Sequence, residues 1–283
     1  MTFRKILTIQ DISCVGQCST TVALPVLAAC GHETSILPSK LLSTHTGGFG
    51  KPAILDLSAQ MGDFYAHWKN AGITFDAIHI GYLGSLAAIE QTRKITEELL
   101  APGGVVIADP AMADHGRLYS GFDQRYAAAM KELCCQADVM LPNITEAAMM
   151  AGLPYRSDPD EDYVRSLLEG LGGRDVVLTG VGYRPDETGA ALRHNGQINT
   201  YLHRRFDRNY HGTGDIFAAC FTGAWLRGWE MERAMELAAD MTCRCIEHTY
   251  SSPESWFGVR FETVLPYLIS RLGEKREFPG HPT

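Results

Sequence analysis

No stretch of this 283-residue sequence approaches the ~20 consecutive apolar residues that cross a bilayer. The apolar run at residues 6–9 is too short for the core of a secretory signal. A cytoplasmic protein with no membrane partner is therefore the expectation. Positive charge is also scarce, with 25 Lys plus Arg against 33 Asp plus Glu and a formal charge of −8. That balance leaves no broad basic field for nucleic acid, so an anionic ligand would need a local pocket. The cysteines, at positions 14, 18, 30, 134, 135, 220, 243 and 245, show neither Cys-x-x-Cys pairing nor a Cys/His zinc pattern. They read mostly as reduced core thiols, and Cys243 and Cys245 near His248 read as helix packing rather than a metal site. Repeats, low-complexity tracts and linkers are absent too. The expectation is one domain over 1–283, with a frayed polar tail from 273.

What is present is alternation. Short β-prone runs at 5–10, 33–37, 77–81, 104–109, 138–142 and 174–180 alternate with segments of helical length at 19–30, 85–100, 121–136 and 160–171. This order predicts an α/β fold with a mainly parallel sheet covered by helices on both faces. The rhythm breaks at 188–203, where Asn195-Gly196 between two β-prone runs predicts a hairpin with a type I′ turn. Helical patterning returns over 216–227, 231–248 and 261–272.

In open α/β sheets ligands gather beyond the carboxyl ends of the strands, and here those ends are polar. They read Gln10-Asp11, Gly81-Tyr82-Leu83-Gly84-Ser85, Asp109-Pro110-Ala111-Met112-Ala113-Asp114, Pro142-Asn143-Ile144-Thr145-Glu146 and Thr179-Gly180-Val181-Gly182. Asp109, Asp114, Asn143 and Glu146 offer the hard oxygens that suit Mg²⁺, although Thr145-Glu146 equally fits the cap of a helix starting there. The most informative segment is Gly212-Thr213-Gly214-Asp215, ahead of an apolar helical run. Its glycines allow close backbone approach to an anion, and free N–H groups at a helix start favour negative charge. A carboxylate beside an anion makes sense as a handler of protons. The alternative is a plain glycine loop with an N-cap. Residues 46–52 carry glycines and a lysine, but their spacing is wrong for a P-loop and Pro52 stands where Ser or Thr would bind Mg²⁺.

Taken in order, the segments from Gly81, Asp109, Pro142 and Gly212 resemble the pyridoxal kinases of the ribokinase superfamily over nearly the whole chain. Ser43-Thr44-His45-Thr46 is similar to that branch's Ser-Asn-His-Thr segment. The resemblance implies a three-layer ribokinase-like fold and ATP-dependent phosphorylation of the 5′-hydroxymethyl group of pyridoxal, pyridoxine or pyridoxamine. Asp215 would then be the base, and Gly212, Thr213 and Gly214 would cradle the transferred phosphoryl group. Asp109, Asn143 and Glu146 would organise Mg²⁺, largely through water, and a monovalent cation could accompany it. With Asp114, Thr179 and Gly182 they would hold the nucleotide. Asp11, His45, Thr46 and Tyr82 would line the vitamer site, and the working unit would be a homodimer.

The first strand departs from the family, which commonly places Ser-His after the strand's Gln where this chain has Asp11-Ile12. A carboxylate there could accept from a ring nitrogen or a substrate amine, or could cap the next helix. Arg204, Arg205 and Arg208, and the segment 116–122 with Arg117 and Tyr119, are two candidate flaps over ATP. The Gly-Gly pair at 47–48 keeps a sugar kinase in view, and the superfamily marks equally admit a hydroxymethylpyrimidine kinase. A non-catalytic nucleotide-binding protein is the third reading, disfavoured by Asp215.

Overall fold

The computed structural model describes residues 3–172, 174–208, 210–250 and 252–273. The expected tail beyond 273 lies outside the described residues. The strands are β1 (Lys5–Ser13), β2 (Glu33–Leu42), β3 (Ile54–Asp56), β4 (Phe75–Ile80), β5 (Leu100–Ala108), β6 (Ala113–Asp114), β7 (Arg117–Leu118), β8 (Val139–Met140), β9 (Asp175–Val181), β10 (Glu187–His194) and β11 (Gln197–Arg204). The helices are α1 (Thr20–Ala29), α2 (Ser58–Asn70), α3 (Leu86–Leu99), α4 (Gln124–Cys134), α5 (Ile144–Ala151), α6 (Glu161–Gly170), α7 (Thr213–Leu226), α8 (Met231–Tyr250) and α9 (Leu265–Gly273).

Nine strands form one sheet in the order β11-β10-β9-β8-β5-β4-β1-β2-β3, parallel from β9 to β2 and closed by antiparallel strands at both ends. Side chains alternate strictly between its faces, as period two requires. Ile6, Ala77, Ile107, Val139 and Val177 join the core beneath α1, α7, α8 and α9. Their neighbours Leu7, Ile78, Ala108, Met140 and Leu178 join the core beneath α2 to α6. The result is the expected three-layer α/β architecture, because strands covered on both faces are apolar throughout.

The hairpin at β10 and β11 forms as expected, with Asn195 and Gly196 at φ 50° and 78°. Other boundaries differ. The first strand does not stop at Gln10 but continues through a bulge between Gln10 and Ile12, so Asp11 lies within β1 and caps no helix. The second runs on past Pro38 to Leu42, tolerated because β3 pairs only with Lys40–Leu42 and asks no N–H of the proline. The expected last helix begins instead as a 3₁₀ turn at Phe261–Thr263 before α9. Four of the eight cysteines are buried, whereas Cys14 and Cys135 are exposed rather than core thiols.

The chain leaves β1 through α1 towards β2 and returns through α2 to β4 on the other side of β1. Such a reversal opens a crevice at the strand ends. β1 therefore borders the site.

Candidate active site

Each parallel strand from β9 to β2 delivers one polar segment to the same sheet edge. In spatial order these carry Thr179 and Gly182 (β9), Asn143 (β8), Asp109 (β5), Tyr82 (β4), Asp11 (β1), and His45 and Thr46 (β2). Together with Asp114, Glu146, Gly212, Thr213, Gly214 and Asp215 they line a single cleft of about 730 Å³. Every site residue expected from the sequence is thus brought to one place.

Gly212 is the N-cap of α7 in the left-handed region at φ 80°, and no side chain caps the helix. The first N–H groups of α7 stand without a side-chain cap at the positive end of a 14-residue helix, where negative charge is favoured. Asp215 sits in the first turn. Burial pushes its carboxyl up to about 6, the backbone N–H of Ser19 pulls it down, and the nearby Asp11 carboxylate raises it. That value lets a carboxylate take a proton near neutral pH.

Asn143 caps α5, accepting from the Glu146 N–H at 3.0 Å, while Glu146 Oε2 accepts from the Asn143 N–H at 3.0 Å. The helix cap is therefore a reciprocal box built on Asn143, and Thr145 instead accepts from the Gly116 N–H at 3.0 Å. Glu146 Oε1 accepts from the Met112 N–H at 2.8 Å, and the Asn143 amide donates to the Ala113 carbonyl at 2.8 Å. Asp109 accepts from the Ala111 N–H with one carboxylate oxygen, Oδ1. Burial and the neighbouring Glu146 and Asp215 push Asp109 well up, and burial also raises Glu146. Two buried carboxyls repelling each other suit a divalent cation between them. Among the described residues no three His, Cys, Asp or Glu side chains gather closely enough to cage a metal alone. This donor set fits Mg²⁺, which completes its shell with water and phosphate oxygens.

His45 lines the cleft, but both ring nitrogens are engaged. Nδ1 accepts from the Gly47 N–H at 3.0 Å, which makes Nε2 the protonated nitrogen, donating to the Phe257 carbonyl at 2.6 Å. The ring ties the loop after β2 to the segment before α9, and Phe49 packs on Trp256 at 4.6 Å across the same junction. His45→Ala should therefore destabilise the fold by about 1–3 kcal/mol and raise the acceptor KM more than it lowers kcat. Thermal unfolding and steady-state kinetics check both parts.

Of the two candidate flaps, 116–122 includes part of a small β6–β7 hairpin whose Tyr119 lines the cleft, and Phe122 stacks on Tyr82 at 5.5 Å. In the other, Arg204 pairs with Glu247 at 3.1 Å, and Arg208, which lies over Tyr250, lines the cleft with Arg205 and Arg184. The sequence reading missed Ser19. It holds φ 52°, its hydroxyl serves Asp11 and its N–H serves Asp215, so an unusual backbone links two carboxyls of the site. No motif announces such a residue.

The model of the phosphomethylpyrimidine kinase family matches residues 64–258. The pyridoxal kinase from Lactobacillus plantarum is 36% identical, with 95% of this chain and 97% of that one covered at a TM-score of 0.88. This chain belongs to the pyridoxal kinase branch of that family, within the ribokinase-like superfamily. The kinase is also similar to the pyridoxine/pyridoxal/pyridoxamine kinase of Bordetella avium, 31% identical over 83% of this chain and 81% of that protein. A putative phosphomethylpyrimidine kinase from Bacteroides thetaiotaomicron, solved in a form with pyridoxal, is 30% identical at a TM-score of 0.88, with 97% of each chain covered. The kinase is a phosphotransferase, with the expected fold. Among its described residues no helix is long and apolar enough to cross a membrane.

Proposed function

We infer that this cleft transfers the terminal phosphoryl group of ATP to the 5′-hydroxymethyl oxygen of a vitamin B6 vitamer, giving the 5′-phosphate and ADP. The observation that carries the reading is the placement of Asp215, a carboxyl tuned to about 6, in the first turn of a helix whose N–H groups face the same cleft. The acceptor O–H bond breaks as its oxygen bonds to phosphorus. The proton passes to the Asp215 carboxylate and the bridging P–O bond breaks, with ADP leaving. N–H groups from Gly212 to Gly214 hold the charge on the transferred group, where preorganised donors contribute most.

Bound Mg²⁺ would supply charge neutralisation between the phosphates, held by Asp109 and, through water, by Asn143 and Glu146. Thr179, Gly182 and Asp114 border the nucleotide, with Arg184 and Arg205 beside its phosphates. Thr46, Tyr82, His45 and Asp11 enclose the vitamer. The same reading takes the working unit as one kinase domain per chain, paired as a cytoplasmic homodimer, with a monovalent cation as a further ligand. Light scattering and activity with and without K⁺ test the last two points. Asp109→Asn should raise the Mg²⁺ concentration needed for half-maximal rate by about tenfold, since one of the two carboxylates is lost. A titration of rate against Mg²⁺ measures it.

The match to the phosphomethylpyrimidine kinase model favours a second acceptor, hydroxymethylpyrimidine, over a sugar. The deciding experiment offers MgATP with pyridoxal, pyridoxine, pyridoxamine, hydroxymethylpyrimidine or ribose, and scores ADP release and product mass. B6 5′-phosphates are the expected products. Product from hydroxymethylpyrimidine alone would move the substrate to that class, and nucleotide binding without any product would leave only the reading of a non-catalytic nucleotide-binding protein.

A further inference from the structure

Arginines gather towards one end of the cleft, although carboxylates line it throughout. Arg184 and Arg205 line its β9–β11 end, whereas Asp11 and Asp215 line the end near β1. Asp11 is only 3% exposed, and the bulge in β1 aims it into the cleft. Its Oδ2 accepts from the Ser13 hydroxyl at 3.0 Å, the Ser19 hydroxyl also serves it, and its own N–H donates to the Tyr82 carbonyl at 3.1 Å. Those partners fix the carboxyl in place. A carboxylate can accept about four hydrogen bonds, so capacity remains for a ligand.

No lysine or arginine stands among the groups that act on it. His45, the titratable group facing it from the loop after β2, has both ring nitrogens engaged elsewhere, with the Gly47 N–H and the Phe257 carbonyl. From the other elements it meets Asp215 of α7, Cys18 ahead of α1 and Tyr82 after β4. Lys40 on β2 is taken up by Asp56 at 3.6 Å and the Gly84 carbonyl at 2.8 Å. Among the described residues no lysine or arginine pairs with Asp11. Burial accordingly pushes its pKa up. A buried carboxylate without a counter-ion is costly, and a ligand that brings the counter-ion removes that cost on binding.

We propose that Asp11 is the counter-ion for an ammonium group on the alcohol substrate, so that the kinase favours pyridoxamine, with its 4′-aminomethyl group, over pyridoxine, with a hydroxymethyl group there. The proposal rests on the B6 reading above and sharpens it to one vitamer. A hydroxyl can donate to the Asp11 carboxylate but brings no positive charge, so it leaves the buried anion without a counter-ion.

The test is the kcat/KM ratio of pyridoxamine to pyridoxine at neutral pH with MgATP, measured for the wild type, Asp11→Asn and Asp11→Ser. Far-UV circular dichroism melts monitor folding. The wild-type ratio should exceed one and fall by at least ~10-fold in both variants, mainly through KM for pyridoxamine. The serine variant keeps a hydrogen-bonding group and serves if the asparagine variant does not fold. If neither folds, calorimetric titration of the wild type without ATP decides, since equal affinity for the two vitamers contradicts an ammonium site. An unchanged ratio in a folded variant, or a wild type that prefers pyridoxine, overturns the proposal alone. Turnover of no vitamer overturns the B6 reading and this proposal with it.

Discussion

Asp215→Asn is expected to lower kcat by at least ~10²-fold while leaving ATP affinity nearly unchanged, because the amide keeps the shape of the carboxylate but cannot take the acceptor proton. The pH dependence follows from the same group. Its carboxyl is held up to about 6 by burial, so the base is protonated below that pH and free above it. The kcat/KM of the wild type should rise about tenfold per pH unit up to about 6 and level off above, a limb that the asparagine variant lacks. Stability should move the other way. The folded-state pKa lies above the ordinary 3.8, so folding favours the protonated form. That stabilisation is fully present below pH 3.8 and is lost as pH rises through about 6. Removing the ionisable group should therefore stabilise the fold at alkaline pH by about 1–3 kcal/mol. Stopped-time ADP assays over a pH series and thermal melts at pH 8 check the two halves, and a stabilised variant of full activity would contradict the role of Asp215.

The second large effect separates two glycines two residues apart. Gly212 sits at φ 80°, and a Cβ there would lie 1.8 Å from the Gln17 carbonyl oxygen, a backbone atom with nowhere to go. Gly212→Ala should displace the start of α7, destabilise the fold by about 2–4 kcal/mol and lower kcat by ~10²- to 10³-fold as the N–H groups lose their aim. At Gly214 a Cβ would meet nothing within 4 Å. It projects into open space beside the cleft that Gly214 lines. Gly214→Ala should melt with the wild type yet bind ATP at least ~10-fold more weakly, since its methyl group occupies the room a phosphate needs. Melting curves paired with nucleotide titrations distinguish the cases. If Gly214→Ala binds ATP normally, residues 212–214 are a turn and not a cradle.

The site was legible where local chemistry and function coincide. Gly-Thr-Gly-Asp ahead of an apolar run marks a helix start, and Asn143 and Glu146 were readable as oxygens at a strand end, although the cap read at Thr145 proved to be built on Asn143. Elements with weak patterning were invisible. In α2 only Met61 is buried and Gly62 lies within the helix, so no apolar stripe marks it. The two-residue strands β6 and β7 and the three-residue β3 are too short for any period to register. The role of His45 was equally hidden, because its partner Phe257 stands 212 residues away.

Amino-acid order alone determined the layered α/β plan, the strand ends that carry polar groups and the glycine-capped helix start that borders the cleft. Each follows from periodicity or from the φ preferences and capping chemistry of adjacent residues, which act over a few positions. Tertiary structure alone decided which side chains face one another. The bulge that turns Asp11 inward, the Ser19 backbone that joins it to Asp215, and the burial that tunes Asp215 depend on neighbours tens to hundreds of residues distant. Desolvation and like-charge repulsion are properties of the assembled cleft, and no single segment of chain carries them.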